Sequence, residues 1–129
     1  MPPEMIDDDY IREVNIDNFS GVLGQHYPAD TNDYDLVVEE SENFVKIIYS
    51  IVVCNCTNGA LTFRIYLGRN DAYGVGTALF YNTAIPAYST LIFDTDSGWA
   101  IDDVRRLGVR ASAGSSLTFT AFGKRFEGD

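Results

Sequence analysis

The stretch NFVKIIYSIVVCNCTNGALTFRIYL, residues 43–67, decides which fold is expected for this chain. Two runs rich in β-branched and aromatic residues flank Thr57-Asn58-Gly59, and Asn-Gly between apolar runs predicts a tight β-hairpin because both residues tolerate positive φ. The second run alternates like a half-buried strand. The first run is apolar on both faces, so we expect a central strand that is covered twice, once by another protomer. One predicted face is Val45, Ile47, Tyr49, Ile51 and Val53; the other is Ile48, Val52 and Cys54 together with the polar Lys46 and Ser50.

The rest of the chain after residue 35 also consists of short β-rich runs separated by turn residues. A turn is predicted at 94–98 and a second tight hairpin around Gly114-Ser115. Seven or eight strands without helices are typical of an antiparallel two-sheet β-sandwich. The predicted strands are residues 36–38, 45–54, 61–67, 77–84, 89–94, 99–101, 107–113 and 116–122. The predicted core is Ile47, Ile51, Val53, Phe63, Ile65, Leu79, Ile92, Val109, Leu117 and Phe119.

The charge of the chain is unevenly distributed along its 129 residues. Residues 1–43 carry twelve acids and one base, whereas residues 44–129 carry seven acids and eight bases. Phosphate binding requires clustered Lys and Arg, and no basic patch appears beyond Arg105-Arg106 and Lys124-Arg125, so we do not expect nucleic acid as a partner. The acidic segment favours a basic protein surface as its partner.

Residues 1–35 lack a sustained hydrophobic period, and we interpret them as an extended acidic arm that precedes a sandwich domain at 36–129. A frayed terminus is the alternative, but frayed termini seldom carry this many apolar side chains. We expect the arm to bind a partner, a neighbouring protomer or another protein, through these side chains. The residues proposed for this contact are Ile11, Val14, Phe19, Leu23 and Tyr27.

The N-terminal residues have neither a basic region nor an apolar core, so we expect no signal peptide and maturation in a reducing cytoplasm without disulfides. The longest apolar run, residues 47–54, is too short to cross a bilayer. We therefore expect no membrane partner.

Candidate chemical sites are few, and each has a simpler explanation. Cys54 and Cys56 are two residues apart on a strand, which favours packed free thiols over a mutual disulfide or a zinc site. His26 lacks a nucleophile motif and an orienting acid, so a catalytic triad is not expected. The Gly74-Val75-Gly76 segment lacks the third glycine and the helix of a phosphate-binding loop.

Two further stretches keep an alternative open. Asp94-Thr95-Asp96-Ser97-Gly98 resembles the start of a calcium loop, to which Asp102 and Asp103 could add oxygens, but it fails the EF-hand pattern. We interpret it as a polar turn. Trp99, Tyr73 and Tyr81 could form a sugar-stacking platform, although aromatic residues of a small sandwich belong more often to the core. We predict no catalytic residue, no metal, no cofactor and no enzymatic activity.

The body of the chain resembles a known group of proteins between residues 36 and 123. The similarity lies in the order of Val53–Asn55, TFRIYL at 62–67, ALFYNTAIPAYST at 78–90, AIDD at 100–103 and LGVRASAGSSLTFTAFG at 107–123. This order is similar to that of the small jelly-roll virion proteins of tailed bacteriophages. It is a likeness of pattern and includes no diagnostic signature.

The resemblance implies an all-β jelly roll that works as a capsid decoration or cement protein. It implies a homotrimer bound to the major capsid protein on the outside of the virion. A head or tail fibre module that binds a host-surface glycan is the alternative. A receptor ligand of the tumour necrosis factor type shares the trimeric jelly roll, but the missing secretory signal argues against it.

Overall fold

The computed structural model describes residues 19–40, 43–69 and 73–127 of the chain. These residues form eight antiparallel strands and a single 3₁₀ turn at Val75–Thr77, which confirms the predicted all-β class. Within this part of the chain, no helix has the length and apolar character to span a membrane. The strands are β1 Phe19–His26, β2 Tyr34–Val37, β3 Phe44–Asn55, β4 Leu61–Arg69, β5 Ala78–Ile85, β6 Thr90–Ile101, β7 Arg105–Ala111 and β8 Leu117–Glu127.

The strands form two four-stranded sheets that pack face to face. Sheet I has the order β1-β8-β3-β6, and sheet II has the order β2-β7-β4-β5. Neighbours in a sheet are mostly distant in sequence, as in a jelly roll, where consecutive strands alternate between the sheets. The predicted antiparallel jelly-roll sandwich is therefore confirmed.

The predicted hairpin at Asn58-Gly59 is wrong. Strand β3 lies in sheet I and β4 in sheet II, so residues 56–60 cross between the sheets. Neither Asn58 nor Gly59 has the positive φ that a tight hairpin turn requires. The physical reason is that β6 and β8 pair with β3 along both of its edges, which leaves no edge for β4. The central position predicted for this strand is correct.

The second predicted hairpin, at Gly114-Ser115, is also a crossing between sheets. Strand β7 belongs to sheet II and β8 to sheet I. The connection packs against the β1–β2 connection, where the Ser115 amide donates a hydrogen bond to the Pro28 carbonyl oxygen at 2.8 Å. A Cβ atom at Gly114 would lie 2.2 Å from the carbonyl oxygen of Ala29, so this crossing requires glycine.

The predicted arm boundary at residue 35 is wrong for the described part of the arm. Strand β1 pairs with β8 from Phe19 to His26 and forms one edge of sheet I. The sequence obscures this strand because it contains two glycines, one of which is needed for packing. A Cβ atom at Gly24 would lie 1.9 Å from the carbonyl oxygen of Leu36. Residues 1–18 lie outside the described residues.

The core lies between the sheets, and β-bulges decide which side chains reach it. In β3 a bulge between Ile48 and Ser50 changes the inward parity, so Ile48 points inward before it and Ile51 after it. The predicted single face from Val45 to Val53 is therefore wrong before the bulge. Predicted core residues that are buried are Ile51, Val53, Phe63, Ile65, Val109, Leu117 and Phe119.

Three residues predicted for the core lie elsewhere. Ile47 is half-buried, whereas Leu79 is 39% exposed and Ile92 is 64% exposed. Ile92 points outward because its neighbours Leu91 and Phe93 pack against the core. Leu79 lies on edge strand β5, next to the core-packed Phe80.

The predicted turn at residues 94–98 is an irregular bulge inside β6, in which four residues lie opposite one. Ser50 pairs with Asp94 and Ile48 pairs with Trp99, so residues 95–98 are additional on β6 opposite Tyr49. The buried Thr95 hydroxyl donates a hydrogen bond to the Ile48 carbonyl oxygen at 2.6 Å. Positive φ at Asp96 (53°) and Gly98 (92°) completes the bulge. The strand thus continues to Ile101.

Candidate functional site

A cavity of about 190 Å³ opens on the outer face of sheet II, where β4 and β7 are neighbours. Arg64 and Arg110 are directly opposite each other in the register of these strands and both line the cavity. The remaining polar lining is formed by Thr31, Thr62, Asn82 and Ser112. Two arginines, one asparagine and three hydroxyl-bearing residues therefore line one depression in a chain whose net charge is -10.

A bulge in β5 holds the guanidinium of Arg64. Phe63 pairs with Thr83 and Ile65 with Phe80, so Tyr81 and Asn82 together face Arg64. The guanidinium carbon lies 4.0 Å from the centre of the Tyr81 ring, and Nε donates a hydrogen bond to Asn82 Oδ1 at 2.8 Å. Asn82 has a φ of 53°, a conformation that asparagine tolerates. The bulge thus directs two side chains to one arginine.

The β1–β2 connection holds Arg110. Its Nε donates a hydrogen bond to the carbonyl oxygen of Thr31 at 2.6 Å, and Nη1 lies 3.8 Å from Asp33 Oδ1. The connection is ordered by Asp30. Its carboxylate accepts hydrogen bonds from the Tyr34 hydroxyl at 2.7 Å and from the backbone N–H of Asn32 at 3.1 Å. The bond from Tyr34 lowers the pKa of Asp30, which keeps this carboxyl ionised.

A neighbouring arginine on the same face has a different environment. Arg106 forms ion pairs with Asp35 at 3.1 Å and with Glu39, whose Oε1 accepts a hydrogen bond at 2.7 Å. The hydrogen bond from Arg106 lowers the pKa of Glu39. Tyr73 donates a hydrogen bond to Asp35 at 2.7 Å. The pKa of Tyr73 is raised mainly by burial and secondly by this hydrogen bond to Asp35. Arg106 is thus neutralised by two carboxylates.

Sheet I presents a second surface of interest, a largely apolar outer face. We call it the apolar face and define it by Val22, Ile47, Tyr49, Val52, Ile92 and Phe122. The most exposed members are Ile92 at 64%, Val22 at 47% and Tyr49 at 46%. Val22 and Phe122 are cross-strand partners, as are Val52 and Ile92. Between these two pairs, Phe122 lies opposite Ser50 and Val52 lies opposite Thr120. Polar residues on the same rows of the sheet are Gln25, Ser50, Asp94, Thr120 and Lys124.

The five residues predicted to bind a partner have different locations. Ile11 and Val14 lie outside the described residues, and Phe19 begins β1. Leu23 is half-buried and packs against the core of its own sandwich. Tyr27 is 51% exposed, and its hydroxyl donates a hydrogen bond to the Ser115 carbonyl oxygen at 2.8 Å. The sequence pattern did not separate residues of the arm from residues of β1.

The stretches considered for calcium or sugar binding are not assembled into sites. No group of three or more potential metal ligands exists among residues 19–40, 43–69 and 73–127. Asp102 instead accepts hydrogen bonds from the Val104 and Arg105 amides, each at 3.0 Å. The three aromatic residues of the suggested platform do not share a surface, because Trp99 packs against the core while Tyr73 and Tyr81 lie on sheet II.

Cys54 is partly buried and Cys56 is exposed, so the prediction of packed thiols does not hold for Cys56. The sulfur atoms of Cys54 and Cys56 are 3.8 Å apart, and the hydrogen bond between the thiols raises the pKa of Cys56. His26 packs on the ring of Tyr34 with 4.7 Å between ring centres. Gly74 is the N-cap residue of the 3₁₀ turn before β5, and Val75 and Gly76 lie within that turn.

No signal in the sequence identified the cavity before the structure did. Arg64 and Arg110 are 46 positions apart and lie on strands that the hydrophobic pattern did not pair. The β5 bulge that supplies Asn82 is likewise a tertiary feature, since positive φ at asparagine has no unique sequence signature.

Three kinds of comparison with known proteins were made. A scan against protein-family models and a search of curated proteins both found no match. Among solved structures, a protein of the infectious bursal disease virus Gx strain is 15% identical with a TM-score of 0.45, over 84% of this chain and 30% of that chain. This chain therefore spans less than a third of that viral protein.

Two further solved structures are similar over most of their length. A protein of the Bacillus endospore appendages, described as disulfide-linked pili, is 11% identical with a TM-score of 0.48, over 84% of this chain and 91% of that chain. The tobacco streak virus coat protein is 8% identical with a TM-score of 0.38, over 88% of this chain and 87% of that chain. At these identities the likeness concerns the fold alone.

Proposed function

We propose that this chain is a structural virion protein of a tailed phage. In this proposal it binds the outside of the capsid as a decoration or cement protein and stabilises the head through protein–protein contacts. Its partners are the major capsid protein and two further copies of itself in a homotrimer. The role requires no catalytic chemistry, and its location is the capsid surface of the virion.

The observation that carries this proposal is the apolar face of sheet I. Large exposed apolar areas on a small domain are characteristic of interaction surfaces. Covering Ile92 and Val22 would contribute about 1 to 2 kcal/mol each, a part of the 1.5 to 3 kcal/mol for full burial of such side chains. Strand β3 is central in sheet I and contributes Tyr49 and Val52 to this face. In this proposal the partner covers these outward apolar side chains, while the inward ones pack in the core.

Residues 1–18 belong to the proposal as an acidic contact segment. They contain six acids and one base, together with Ile11 and Val14. Their charge favours a basic surface on the partner, an attraction that salt screens beyond about 8 to 10 Å. Because this segment leads directly into edge strand β1, a chain that begins at Phe19 keeps all eight strands.

The test replaces one residue of the apolar face and compares it with a matched residue on the opposite sheet. We expect Ile92→Arg to lower the oligomer mass measured by light scattering and to weaken co-sedimentation with empty phage heads. Leu79→Arg, at an exposed aliphatic position of sheet II, should change neither. The proposal fails if both variants assemble and co-sediment like the original chain, provided that their circular dichroism spectra are unchanged.

The chain that begins at Phe19 tests the acidic segment separately. We expect it to fold with an unchanged melting temperature and to lose most of its affinity for heads at low salt. Equal binding by the shortened and the full chain would remove the segment from the proposal and leave the apolar face as the contact.

A fibre module that binds a host-surface glycan is the second candidate function. The observation that favours it is the polar cavity of sheet II, which is lined by three hydroxyls and the amide of Asn82. Hydroxyl and amide groups are the donors and acceptors that orient sugars. Binding of the full chain to a glycan array, with loss of signal in Asn82→Ala, would support this candidate, and a blank array would reject it.

A further inference from the structure

The facing arginines of the cavity have an electrostatic imbalance that a ligand would correct. Arg64 and Arg110 are a directly opposed cross-strand pair on the outer face of sheet II. Like charges at directly opposite positions destabilise a sheet, whereas opposite charges stabilise it. This pair is therefore retained at a cost to stability unless an anion lies between the two side chains.

The surrounding groups compensate only part of the positive charge. Arg64 is held by neutral groups, namely the Asn82 amide, the Tyr81 ring and the Tyr66 hydroxyl, which accepts a hydrogen bond at 3.4 Å. Among the residues that the structure describes, Asp33 is the carboxylate that forms an ion pair with Arg110, and its 3.8 Å distance exceeds a hydrogen bond. Two guanidinium groups thus share one distant carboxylate.

Comparison with Arg106 on the same strand shows that this imbalance is specific to the cavity. Arg106 has two carboxylates, those of Asp35 and Glu39, within 3.1 Å. It lies four residues before Arg110 on β7 and points to the same side of sheet II. The same face therefore contains one neutralised arginine and one pair of arginines with excess positive charge.

The geometry of the pair leaves donors for a ligand. Each guanidinium has five N–H donors. The hydrogen bonds described for Arg64 use two of them, and the one described for Arg110 uses Nε. The Nε bonds fix both groups in place, so their remaining N–H groups are pre-organised. Planar guanidinium forks match carboxylate, sulfate and phosphate oxygens in a bidentate manner.

We propose that the cavity between Arg64 and Arg110 is a binding site for a small oxyanion. The oxygens accept hydrogen bonds from the guanidinium forks, and the hydroxyls of Thr62 and Ser112 provide further polar contacts at the cavity wall. The volume of about 190 Å³ suits a free inorganic anion or the acid group of one sugar ring. The site lies on the outer face opposite the apolar face, so it stands independently of the capsid-binding proposal.

The experiment titrates the full chain with sodium glucuronate and with sodium sulfate at constant ionic strength, using isothermal calorimetry and amide chemical shifts. Glucose serves as the neutral match for glucuronate. We expect saturable binding of at least one anion, with shifts centred on β4, β5 and β7. A tenfold preference for glucuronate over sulfate identifies an acidic sugar as the source of the oxyanion, and similar affinities identify a free anion.

Three variants test whether the arginine pair is responsible. Arg64→Gln and Arg110→Gln should each weaken binding at least tenfold, and Arg110→Lys should retain the charge but weaken binding by loss of the fork. Arg69→Gln, at an exposed position of the same strand β4, should bind like the original chain.

Several results would overturn the proposal. One is a chain that binds neither anion, and another is an Arg110→Gln variant that binds with unchanged affinity. A loss in Arg69→Gln equal to that in Arg110→Gln would mean that only net charge matters. The titration of the original chain remains decisive if a variant fails to fold.

Discussion

The buried side chain of Asn55 holds the crossing from sheet I to sheet II, and its replacement is the sharpest test of the fold described above. It is 1% exposed. Its Nδ2 donates hydrogen bonds to the carbonyl oxygens of Gly59 at 2.9 Å, Pro86 at 3.0 Å and Ile85 at 3.3 Å. Its Oδ1 accepts from the Thr57 amide at 2.9 Å and the Thr57 hydroxyl at 2.8 Å. One amide therefore joins the β3–β4 connection to the end of β5.

The expected cost of Asn55→Ala follows from these contacts. Each intramolecular hydrogen bond contributes about 0.5 to 1.5 kcal/mol net, and a buried acceptor left without a partner costs about 1 to 3 kcal/mol. The carbonyl oxygen of Ile85 loses a buried partner, whereas those of Gly59 and Pro86 lie in partly buried surroundings. We expect a loss of about 3 to 5 kcal/mol, a large fraction of the roughly 5 to 15 kcal/mol typical of a domain.

The measurement is equilibrium unfolding in urea, followed by the fluorescence of Trp99, the single tryptophan of the chain. Asn58→Ala is the matched control, because Asn58 is exposed on the same connection and should change stability by less than about 0.5 kcal/mol. Asn55→Asp retains the acceptor but loses the donors, so it should be at least as unstable as Asn55→Ala. A loss below about 1 kcal/mol in Asn55→Ala, or one equal to that of the control, would refute the reasoning.

Three other perturbations test the core, the packing on sheet II and its ion pairs. Ile51→Asp should abolish folding to a soluble product, because Ile51 is fully buried and an unpaired carboxylate there costs several kcal/mol; normal expression with unchanged melting would remove Ile51 from the core. Gly108→Ala should cost about 1 to 3 kcal/mol, since its Cβ would lie 2.3 Å from the Tyr73 ring, and a double-mutant cycle with Tyr73→Ala should abolish most of that cost. The pKa of Glu39 is lowered from 4.5, so its ion pair with Arg106 stabilises the fold above pH 4.5 and is lost as the pH falls through the lowered pKa. On acidification, the urea concentration at the unfolding midpoint should therefore fall less in Glu39→Gln than in the original chain. Equal pH dependence of the two midpoints would contradict this prediction.

The pattern of residues along the chain was enough to predict the class of the fold and seven of the sixteen buried apolar residues in the part that the structure describes. Alternation of apolar and polar residues predicted Phe63 and Ile65 on β4 and Phe119 on β8, and all three are buried. This succeeds because side-chain direction along a strand has a period of two wherever the strand is regular. The alternation rule fails at bulges, because an additional residue reverses which side chains point inward. This happens between Ile48 and Ser50 in β3.

Which strands are neighbours depends on contacts between distant parts of the chain. Main-chain hydrogen bonds are the same for every sequence, so Asn58-Gly59 could predict a turn but not whether the following strand returns to the same sheet. The choice depends on β6 and β8, which occupy both edges of β3 from distant parts of the chain. The juxtaposition of Arg64 and Arg110 follows from the same long-range pairing. The cavity between them therefore exists only in the folded chain, because β4 and β7 become neighbours only when the jelly roll closes.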